Sequence, residues 1–272
     1  MTSPAELFAD LHQPGTPLLL PNAWDVASAA TVVRAGARAV ATTSAGVAWS
    51  LGVPDGADLG AERAAAAIER IAAAVAVPVS ADIEAGYGPA PEDVAATMTA
   101  VVQAGAVGVN LEDRTGQPEA PLFDPAEQAA RIAAARAAAD TLGVRAWINA
   151  RTDLWLAGVG DPDKRLDLAL ERAEAYAAAG ADSLFVPGLV DPAALAELAA
   201  GPLPIAVMVW AGAPTVAELA AAGVCRISLG SAIAQAAYAV AARAATELLT
   251  AGTYNSTAES LPYGDLNAAL SG

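Results

Sequence analysis

Short apolar runs alternate with longer alanine-rich segments along the whole chain. The short runs have the length of buried strands, and the longer segments have the length and composition of helices. We predict strands at residues 18–21, 39–43, 79–83, 107–112, 145–149, 183–186, 205–209 and 226–229. We predict helices at residues 26–35, 62–75, 91–104, 125–142, 164–179, 192–199, 215–222 and 231–249. This alternation is typical of βαβ units that share a parallel sheet.

A weak internal repeat supports this prediction. The segments "RAGARAV", "QAGAVGV", "AAGADSL" and "AAGVCRI" each end a helix on a glycine and lead into a strand. Eight such units predict an α/β fold, a (β/α)8 TIM-type barrel. An open doubly wound sheet is the alternative, but "LLLPNAWDVASA" after the first strand lacks its phosphate-binding glycines. We therefore expect a single barrel over residues 1–272, with a helical C-terminal extension from about residue 231.

Polar residues recur at every second position where the predicted strands end. Strands of a parallel barrel are buried on both faces, so such residues are informative. In the third strand, Ser80, Asp82 and Glu84 share one phase. The corresponding residues elsewhere are Thr42 and Ser44; Asn110 and Glu112; and Asn149, Arg151 and Asp153. All of them fall at the C-terminal rim, where barrel enzymes have their active sites.

The charges at this rim favour a bound cation. We expect Asp82, Glu84 and Glu112 to lie close together, with Arg151 as the only cation that a strand carries near them. Burial of unpaired carboxylates is costly, and a divalent metal would offset that cost. A shell made only of oxygen atoms selects Mg²⁺, with Mn²⁺ as a substitute. The alternative is a structural network of internal salt bridges and hydrogen bonds.

Composition removes several classes of function. The formal net charge of −16 argues against nucleic acid and anionic membrane surfaces as partners. His12 is the only histidine and Lys164 the only lysine, which disfavours histidine triads, histidine-ligated zinc and Schiff-base chemistry. Cys225, the only cysteine, is expected to be a core residue. The start of the chain does not look like a signal peptide and no apolar run could span a bilayer, so we expect a cytoplasmic protein.

Five segments together resemble the isocitrate lyase/phosphoenolpyruvate mutase family. They are "LPNAWDVASA" (20–29), "TTSAGVAWSLGVPDG" (42–56), "ADIEAGYG" (81–88), "GVNLED" (108–113) and "INARTD" (148–153). The resemblance implies a barrel that binds Mg²⁺ and a small anionic 2-oxo acid. It also implies cleavage or formation of a C–C bond, or in some branches a P–C bond, next to an enolate-like intermediate. Family members often exchange their last helix within a dimer, so a homodimer or homotetramer is expected.

The same resemblance implies roles for individual residues around the metal. Asp82 corresponds to the direct metal ligand. Asp55, Glu84 and Glu112 correspond to carboxylates that hold the metal through water. Arg151 corresponds to the cation that grips the substrate and balances its developing charge.

Further residues are implied around the substrate. Ser44, with the backbone of Ala45 and Gly46, corresponds to the cradle for the substrate carboxylate and carbonyl. Trp24 lies in a matching motif and is counted with the substrate-binding residues, although we expect it and Asp25 to be structural before catalytic. Asn149 and Asp153 are expected to orient their neighbours.

The chain also departs from the family, which narrows the reaction. The segment "EDRTGQPEAPLFDPAEQ" has neither the "KKCGH"-like loop of the C–C lyases nor the "KTNS"-like loop of the phosphonate branch. Gly188 in "LFVPG" and an apolar residue in "PIAVMVW" replace a glutamate and an asparagine of the tricarboxylate lyases. We therefore expect C–C cleavage of a small 2-oxo or 2-hydroxy acid, with decarboxylation of an oxaloacetate-like compound as the leading case.

Two alternatives remain at this stage. One is a mutase or hydrolase that breaks the P–C bond of phosphonopyruvate, and the other is a family member that binds a metabolite without converting it. The proton donor is also open, with water or Tyr87 as candidates.

Overall fold

A closed ring of parallel strands forms the centre of the protein. The computed structural model describes residues 2–57 and 59–271. Nine parallel strands form one sheet in the order β1-β9-β8-β7-β6-β5-β4-β3-β2. The strands are β1 (Leu18–Leu20), β2 (Asn22–Ala23), β3 (Val40–Thr42), β4 (Val79–Asp82), β5 (Gly108–Glu112), β6 (Trp147–Arg151), β7 (Ser183–Phe185), β8 (Ile205–Met208) and β9 (Val224–Ser228).

The first two strands are the halves of one barrel strand. β1 pairs with β9, whereas β2 pairs with β3, and Pro21 lies between the halves. Proline has no backbone N–H to donate, but the carbonyl of Pro21 still accepts a hydrogen bond from Ala41 at 3.3 Å. The eight predicted strands therefore close into a barrel, and the predicted α/β TIM-type fold is confirmed.

Helices surround this ring. The described residues form α1 (Pro4–Asp10), α2 (Val26–Arg34), α3 (Ser44–Ser50), α4 (Ala61–Ala74), α5 (Pro91–Gln103), α6 (Pro125–Thr141), α7 (Arg165–Ala178), α8 (Pro192–Ala199), α9 (Val216–Ala221), α10 (Ala232–Ala251) and α11 (Tyr263–Leu270). Short 3₁₀ helices occupy Pro162–Lys164 and Asn255–Thr257. All eight predicted helices are present. The helices α1 and α3 were not predicted, and α11 lies in the segment expected as a helical C-terminal extension.

Local sequence signals explain the ends of many helices. Proline begins α5, α6 and α8, where its missing N–H costs nothing and its fixed φ suits the first turn. The four repeat glycines adopt the predicted left-handed conformation just past their helices, with φ of 102°, 99°, 94° and 84° at Gly36, Gly105, Gly180 and Gly223.

The N-terminal end of the barrel is closed by α1. The buried Phe8 ring lies against Gly108, where an added Cβ would be only 2.6 Å from the ring. The buried His12 stacks on Trp147 with ring centroids 4.1 Å apart. The C-terminal end of the barrel therefore remains as the place for a site.

The last long helix packs differently from the others. Ala234 is the only buried residue that α10 contributes among its described positions. Leu248 and Leu249 on this helix are 57% and 82% exposed. Beyond it, α11 returns to α2, where Arg34 and Asp265 form an exposed ion pair at 3.3 Å. In the part of the chain that the structure describes, no helix combines the length and apolar character needed to cross a bilayer.

Candidate metal and substrate site

The carboxylate pair at the end of β4 is built differently from the prediction. β4 ends at Asp82, so the prediction that Glu84 continues the two-residue phase of this strand is wrong. Glu84 adopts a left-handed backbone with φ of 51°, which takes it out of the strand's two-residue alternation. The two carboxylates are still close enough for the charge of Asp82 to raise the pKa of Glu84.

Asp82 is held firmly by one of its two carboxylate oxygens. Its Oδ2 accepts hydrogen bonds from the backbone N–H of Ser44 at 3.1 Å and from the Ser44 hydroxyl at 2.9 Å. Its backbone N–H donates to the Thr42 hydroxyl at 2.8 Å. Its Oδ1 is buried and has no hydrogen-bond partner among the described residues. A buried carboxylate oxygen without a hydrogen-bond donor is chemically suited to bind a cation.

Negative charge accumulates around Asp82. Burial raises the pKa of Glu84 to about 7, and the charges of Asp82 and Asp55 add to this effect. Asp55 lies in the exposed loop that follows α3. The Tyr87 hydroxyl donates a hydrogen bond to Glu84 Oε1 at 3.2 Å. The site is therefore short of positive charge.

Glu112 and Arg151 lie opposite each other on β5 and β6. Their side chains form an ion pair at 2.9 Å. Arg151 Nε and Nη2 also donate to the two carboxylate oxygens of the buried Asp153, at 2.6 and 2.8 Å. Burial by itself would lower the pKa of Arg151, but these two acidic partners raise it above its usual value. Arg151 is thus a permanently charged group at the rim.

Arg151 also keeps donors for a ligand. A guanidinium has five N–H groups, and the contacts with Glu112 and Asp153 use three of them. The remaining two can bind an anion at the C-terminal rim. Arginine suits this task because its planar fork matches a carboxylate.

A buried network behind the rim fixes Asp153. The backbone N–H of Asp153 donates to Asp113 Oδ1 at 3.0 Å. The other oxygen of Asp113 accepts from the Tyr176 hydroxyl at 3.0 Å and lies 3.1 Å from Arg172 Nη1. Tyr176 and Arg172 are on α7, so this helix supports the position of Arg151 through two carboxylates. Asp113, Tyr176 and Arg172 were not among the site residues predicted from the sequence.

The predicted cradle forms the first turn of α3. Ser44, Ala45 and Gly46 begin this helix, and the first N–H groups of a helix have no partner within it. An added Cβ at Gly46 would lie 2.8 Å from both Trp24 Cβ and Thr43 Cγ2. Trp24 thus packs against the cradle.

Arg151 is not the only cation that a strand brings near the carboxylates, which corrects the prediction. Arg226 on β9 is 1% exposed and lies inside the barrel. Its Nη2 donates to Asn110 Oδ1 at 2.9 Å, and the same oxygen accepts from Asn149 Nδ2 at 2.8 Å. Burial lowers the pKa of Arg226 to about 10, and the charge of Asp82 opposes this shift. In the sequence, the two-residue spacing of Arg226 and Ser228 in the last strand could have identified Arg226 as a residue that faces the barrel interior.

The donor set fits a cation held by few direct ligands. The described residues contain no group of three or more His, Cys, Asp or Glu side chains arranged as a preformed metal site. One direct ligand with further carboxylates bound through water does not need such a group, and Mg²⁺ commonly keeps several waters. The unpartnered oxygen of Asp82 and the surplus negative charge around it suit this arrangement.

Other candidate groups lie outside this site. Cys225 is fully buried, as predicted, and burial raises the pKa of its thiol to about 12. His12 closes the opposite end of the barrel and Lys164 is exposed. The loop after Glu112 is closed by a bridge between Arg114 and Leu122. It has no Cys, His or Lys, so these residue types provide no proton donor there.

Comparisons with known proteins place these features in context. The sequence profile of the family described as phosphoenolpyruvate phosphomutase matches residues 8–249. An uncharacterised protein of Mycobacterium tuberculosis H37Rv is 39% identical over 97% of this chain and 95% of its own. The 2-methylisocitrate lyase of Escherichia coli K12 is 34% identical over 72% of this chain and 64% of its own. A structure of oxaloacetate acetylhydrolase with its product oxalate is 27% identical, covers 99% of this chain and 94% of its own, and has a TM-score of 0.85.

Proposed function

Because the chain belongs to the phosphoenolpyruvate phosphomutase family of the isocitrate lyase/phosphoenolpyruvate mutase superfamily, we propose that it is a Mg²⁺-dependent carbon–carbon lyase. Its substrate is a small 2-oxo or 2-hydroxy acid, and decarboxylation of an oxaloacetate-like compound is the leading reaction. One observation carries this proposal. Asp82 has one oxygen tied to Ser44 and the other buried without a partner.

In this proposal Asp82 holds the metal directly, and Glu84, Glu112 and Asp55 hold it through water. A bound Mg²⁺ would supply Lewis-acid stabilisation of negative charge on the substrate oxygens. The half-buried position of Glu84, whose pKa is raised to about 7 by burial first of all, indicates a carboxylate that gains from a nearby cation. Mn²⁺ could replace Mg²⁺ because it accepts the same oxygen ligands.

The protein's own groups supply the rest of the chemistry. The first-turn N–H groups of Ala45 and Gly46 offer donors to the substrate carboxylate and carbonyl. The two spare N–H groups of Arg151 stabilise the negative charge that develops when the neighbouring C–C bond breaks. Glu112 and Asp153 hold Arg151 in a fixed orientation, so little reorganisation is needed during the reaction.

The absence of polar residues that would bind a long, multiply charged substrate favours a small one. Gly188 adds no side chain where tricarboxylate lyases carry a glutamate, and its backbone approaches Trp155 so closely that a Cβ would lie 3.0 Å from Trp155 Cβ. The loop after Glu112 offers no cysteine, histidine or lysine as an acid. A positioned acid or base typically contributes about 10²–10⁴ in rate. Decarboxylation needs no acid to release its leaving group, so it suits this site better than cleavage of a large hydroxy acid.

Similar proteins support this class of reaction, and they also support a second candidate reaction. The oxaloacetate acetylhydrolase and the 2-methylisocitrate lyase, by their names, act on oxaloacetate and on 2-methylisocitrate, and oxaloacetate is a small 2-oxo acid of the proposed class. The matching family is named for a phosphomutase, which favours P–C bond chemistry on phosphonopyruvate as the second candidate. That reaction requires donors for the phosphoryl oxygens, and the loop "RTGQPEAP" does not resemble the one that supplies them in the phosphonate branch.

The exposed last helix supports a proposal of self-association. Leu19 on β1 is 50% exposed, although strands of a parallel barrel are normally covered on both faces. Leu248 and Leu249 on α10 are also exposed. A homodimer or homotetramer in which subunits exchange α10 would cover both surfaces. Sedimentation of the full chain tests this, and a monomer at micromolar concentration would contradict it.

A substrate panel tests the reaction. Oxaloacetate, 2-methylisocitrate and phosphonopyruvate are supplied at equal concentration, with Mg²⁺ and with chelator, and products are followed by mass spectrometry. We expect Mg²⁺-dependent loss of CO₂ from oxaloacetate above the rate that Mg²⁺ alone produces. If phosphate or phosphoenolpyruvate forms from phosphonopyruvate and oxaloacetate is not converted, the protein catalyses P–C bond chemistry instead. Mg²⁺ binding without turnover of any 2-oxo acid would indicate a binding protein.

A further inference from the structure

The segment that carries Glu84 has an unfavourable backbone. Glu84 and Tyr87 are the two non-glycine residues with positive φ in the described chain, at 51° and 56°, and Gly86 between them has φ of 86°. Left-handed conformations of residues with side chains persist only where the surroundings hold them. The Tyr87–Glu84 hydrogen bond at 3.2 Å lies within the segment and cannot anchor it to the barrel. Contacts from outside the segment do so: the N–H of Glu112 donates to the Glu84 carbonyl at 2.9 Å, and the Thr97 hydroxyl donates to the Gly86 carbonyl at 2.9 Å.

Arg131 on α6 adds three more contacts of this kind. Its guanidinium donates to the carbonyls of Ala85, Gly88 and Pro89, with 2.9 Å to Gly88. Its Nε donates to Gln128 Oε1 at 3.0 Å. Three carbonyls within five residues of one segment therefore converge on one side chain.

The surroundings of Arg131 show that this is its main role. The side chain is 1% exposed. No described carboxylate lies within ion-pair distance of it. Its guanidinium carbon lies 4.2 Å from the centre of the Phe123 ring, which holds the group in place. A buried arginine is costly unless its N–H groups are satisfied, and here carbonyls of the strained segment satisfy them.

We propose that Arg131 is a positioning residue that sets the orientation of Glu84 in the metal site. The inference rests on the proposed metal role of Glu84. The neighbouring Gln128 strengthens it, because its Nε2 donates to the carbonyl of Glu112 at 3.2 Å. One turn of α6 thus contacts the backbone beside two of the carboxylates assigned to the metal.

The same helix offers a matched control. Arg136 also donates to backbone carbonyls, those of Gly180 at 3.2 Å and Ala146 at 2.7 Å, and it pairs with Asp182. Gly180 and Ala146 precede β7 and β6, so these contacts are at the N-terminal end of the barrel. Arg136 is therefore a similar anchor far from the candidate site.

The experiment compares Arg131→Lys and Arg131→Ala with Arg136→Lys and Arg136→Ala in the full chain. Amide hydrogen exchange reports the order of residues 84–90, and calorimetry with MgCl₂ reports metal affinity. Lysine keeps the charge but cannot span three carbonyls. We expect both Arg131 variants to exchange faster in this segment and to lose about 10–100-fold in Mg²⁺ affinity, as is typical when support of a metal ligand is removed. Millimolar guanidinium should restore protection in Arg131→Ala.

The Arg136 variants should lower the melting temperature and leave segment 84–90 and the Mg²⁺ affinity unchanged. Wild-type exchange and affinity in Arg131→Lys would overturn the proposal, as would equal effects from Arg136→Lys. If Arg131→Ala does not fold, Arg131→Lys carries the comparison. Absence of Mg²⁺ binding by the wild-type protein would count against the proposed function. In that case, amide exchange of residues 84–90 would still test whether Arg131 orders this segment.

Discussion

Glu112 and Arg151 are paired neighbours in the register of β5 and β6, and their side chains join in an ion pair at 2.9 Å. Arg151 is also gripped by Asp153 through two hydrogen bonds. The guanidinium of Arg151 is therefore held in one orientation by Glu112 and Asp153 without any substrate. Such preorganisation allows a group to stabilise developing charge without rearranging.

Replacing Arg151 by lysine tests this orientation. Lysine keeps the charge but loses the planar fork that Asp153 and Glu112 hold. We expect kcat/KM to fall by about 10²–10³-fold, the usual loss for a preorganised donor. Arg114→Lys is the control, since Arg114 is exposed and lies 3.8 Å from Asp153. Steady-state kinetics on the best substrate of the panel gives the result, and full activity of Arg151→Lys would remove this residue from the mechanism.

Asp82→Asn tests the metal assignment. The amide keeps the size of the side chain and removes the charge, so we expect Mg²⁺ binding to disappear while the far-ultraviolet circular dichroism stays the same. Asp191→Asn is the control, because Asp191 caps α8 through the N–H of Ala194 and asparagine caps equally well. Titration calorimetry measures both variants. Undiminished affinity in Asp82→Asn would place the metal elsewhere.

Gly46→Ala tests the packing of the cradle. The new Cβ would lie 2.8 Å from Trp24 Cβ and Thr43 Cγ2, so α3 or its neighbours must shift. We expect a loss of about 1–3 kcal/mol in the free energy of unfolding, as for other overpacked sites. The control is Gly264→Ala in α11, where nothing lies within 4 Å of the added Cβ. Urea unfolding compares them, and equal stability of the two variants would show that the cradle is loosely packed.

Because His12 is buried, we predict that the protein becomes less stable as the pH falls. Burial, with help from the charge of Arg226, lowers the pKa of His12 to about 3. The folded protein thus disfavours the protonated imidazole of His12. Above the unfolded pKa near 6.5 this costs no stability. As the pH falls from there toward the folded pKa, the free energy of unfolding decreases. At ~1.4 kcal/mol for each unit, this loss reaches on the order of 4–5 kcal/mol.

His12→Phe keeps a ring to stack on Trp147 and removes the titrating group. We expect its unfolding free energy to fall less steeply than that of the wild type between about pH 6.5 and pH 3. Carboxylates titrate in both proteins, so the difference between the two curves isolates His12. Parallel curves would contradict the prediction.

Much of the architecture follows from local features of the chain. Strand and helix have different periods, so the alternation of apolar runs and alanine-rich segments identified eight units without any knowledge of their contacts. Gly36 and Gly105 marked helix ends because a left-handed residue is needed there. Polar residues at strand ends, such as Asp82 and Glu112, were recognisable because a buried parallel strand is normally a nearly continuous apolar run.

The partners of these residues depended on the closed barrel. Arg226 reaches Asn110 from a position 116 residues away, and Arg131 reaches Ala85 from 46 residues away. Closure of the ring and the register of its strands bring such pairs together, and neither is encoded in the spacing of nearby residues. The left-handed turn at Glu84 has the same origin. Glutamate rarely adopts this conformation, and the surrounding contacts hold it there, so only the tertiary structure could show where this carboxylate lies.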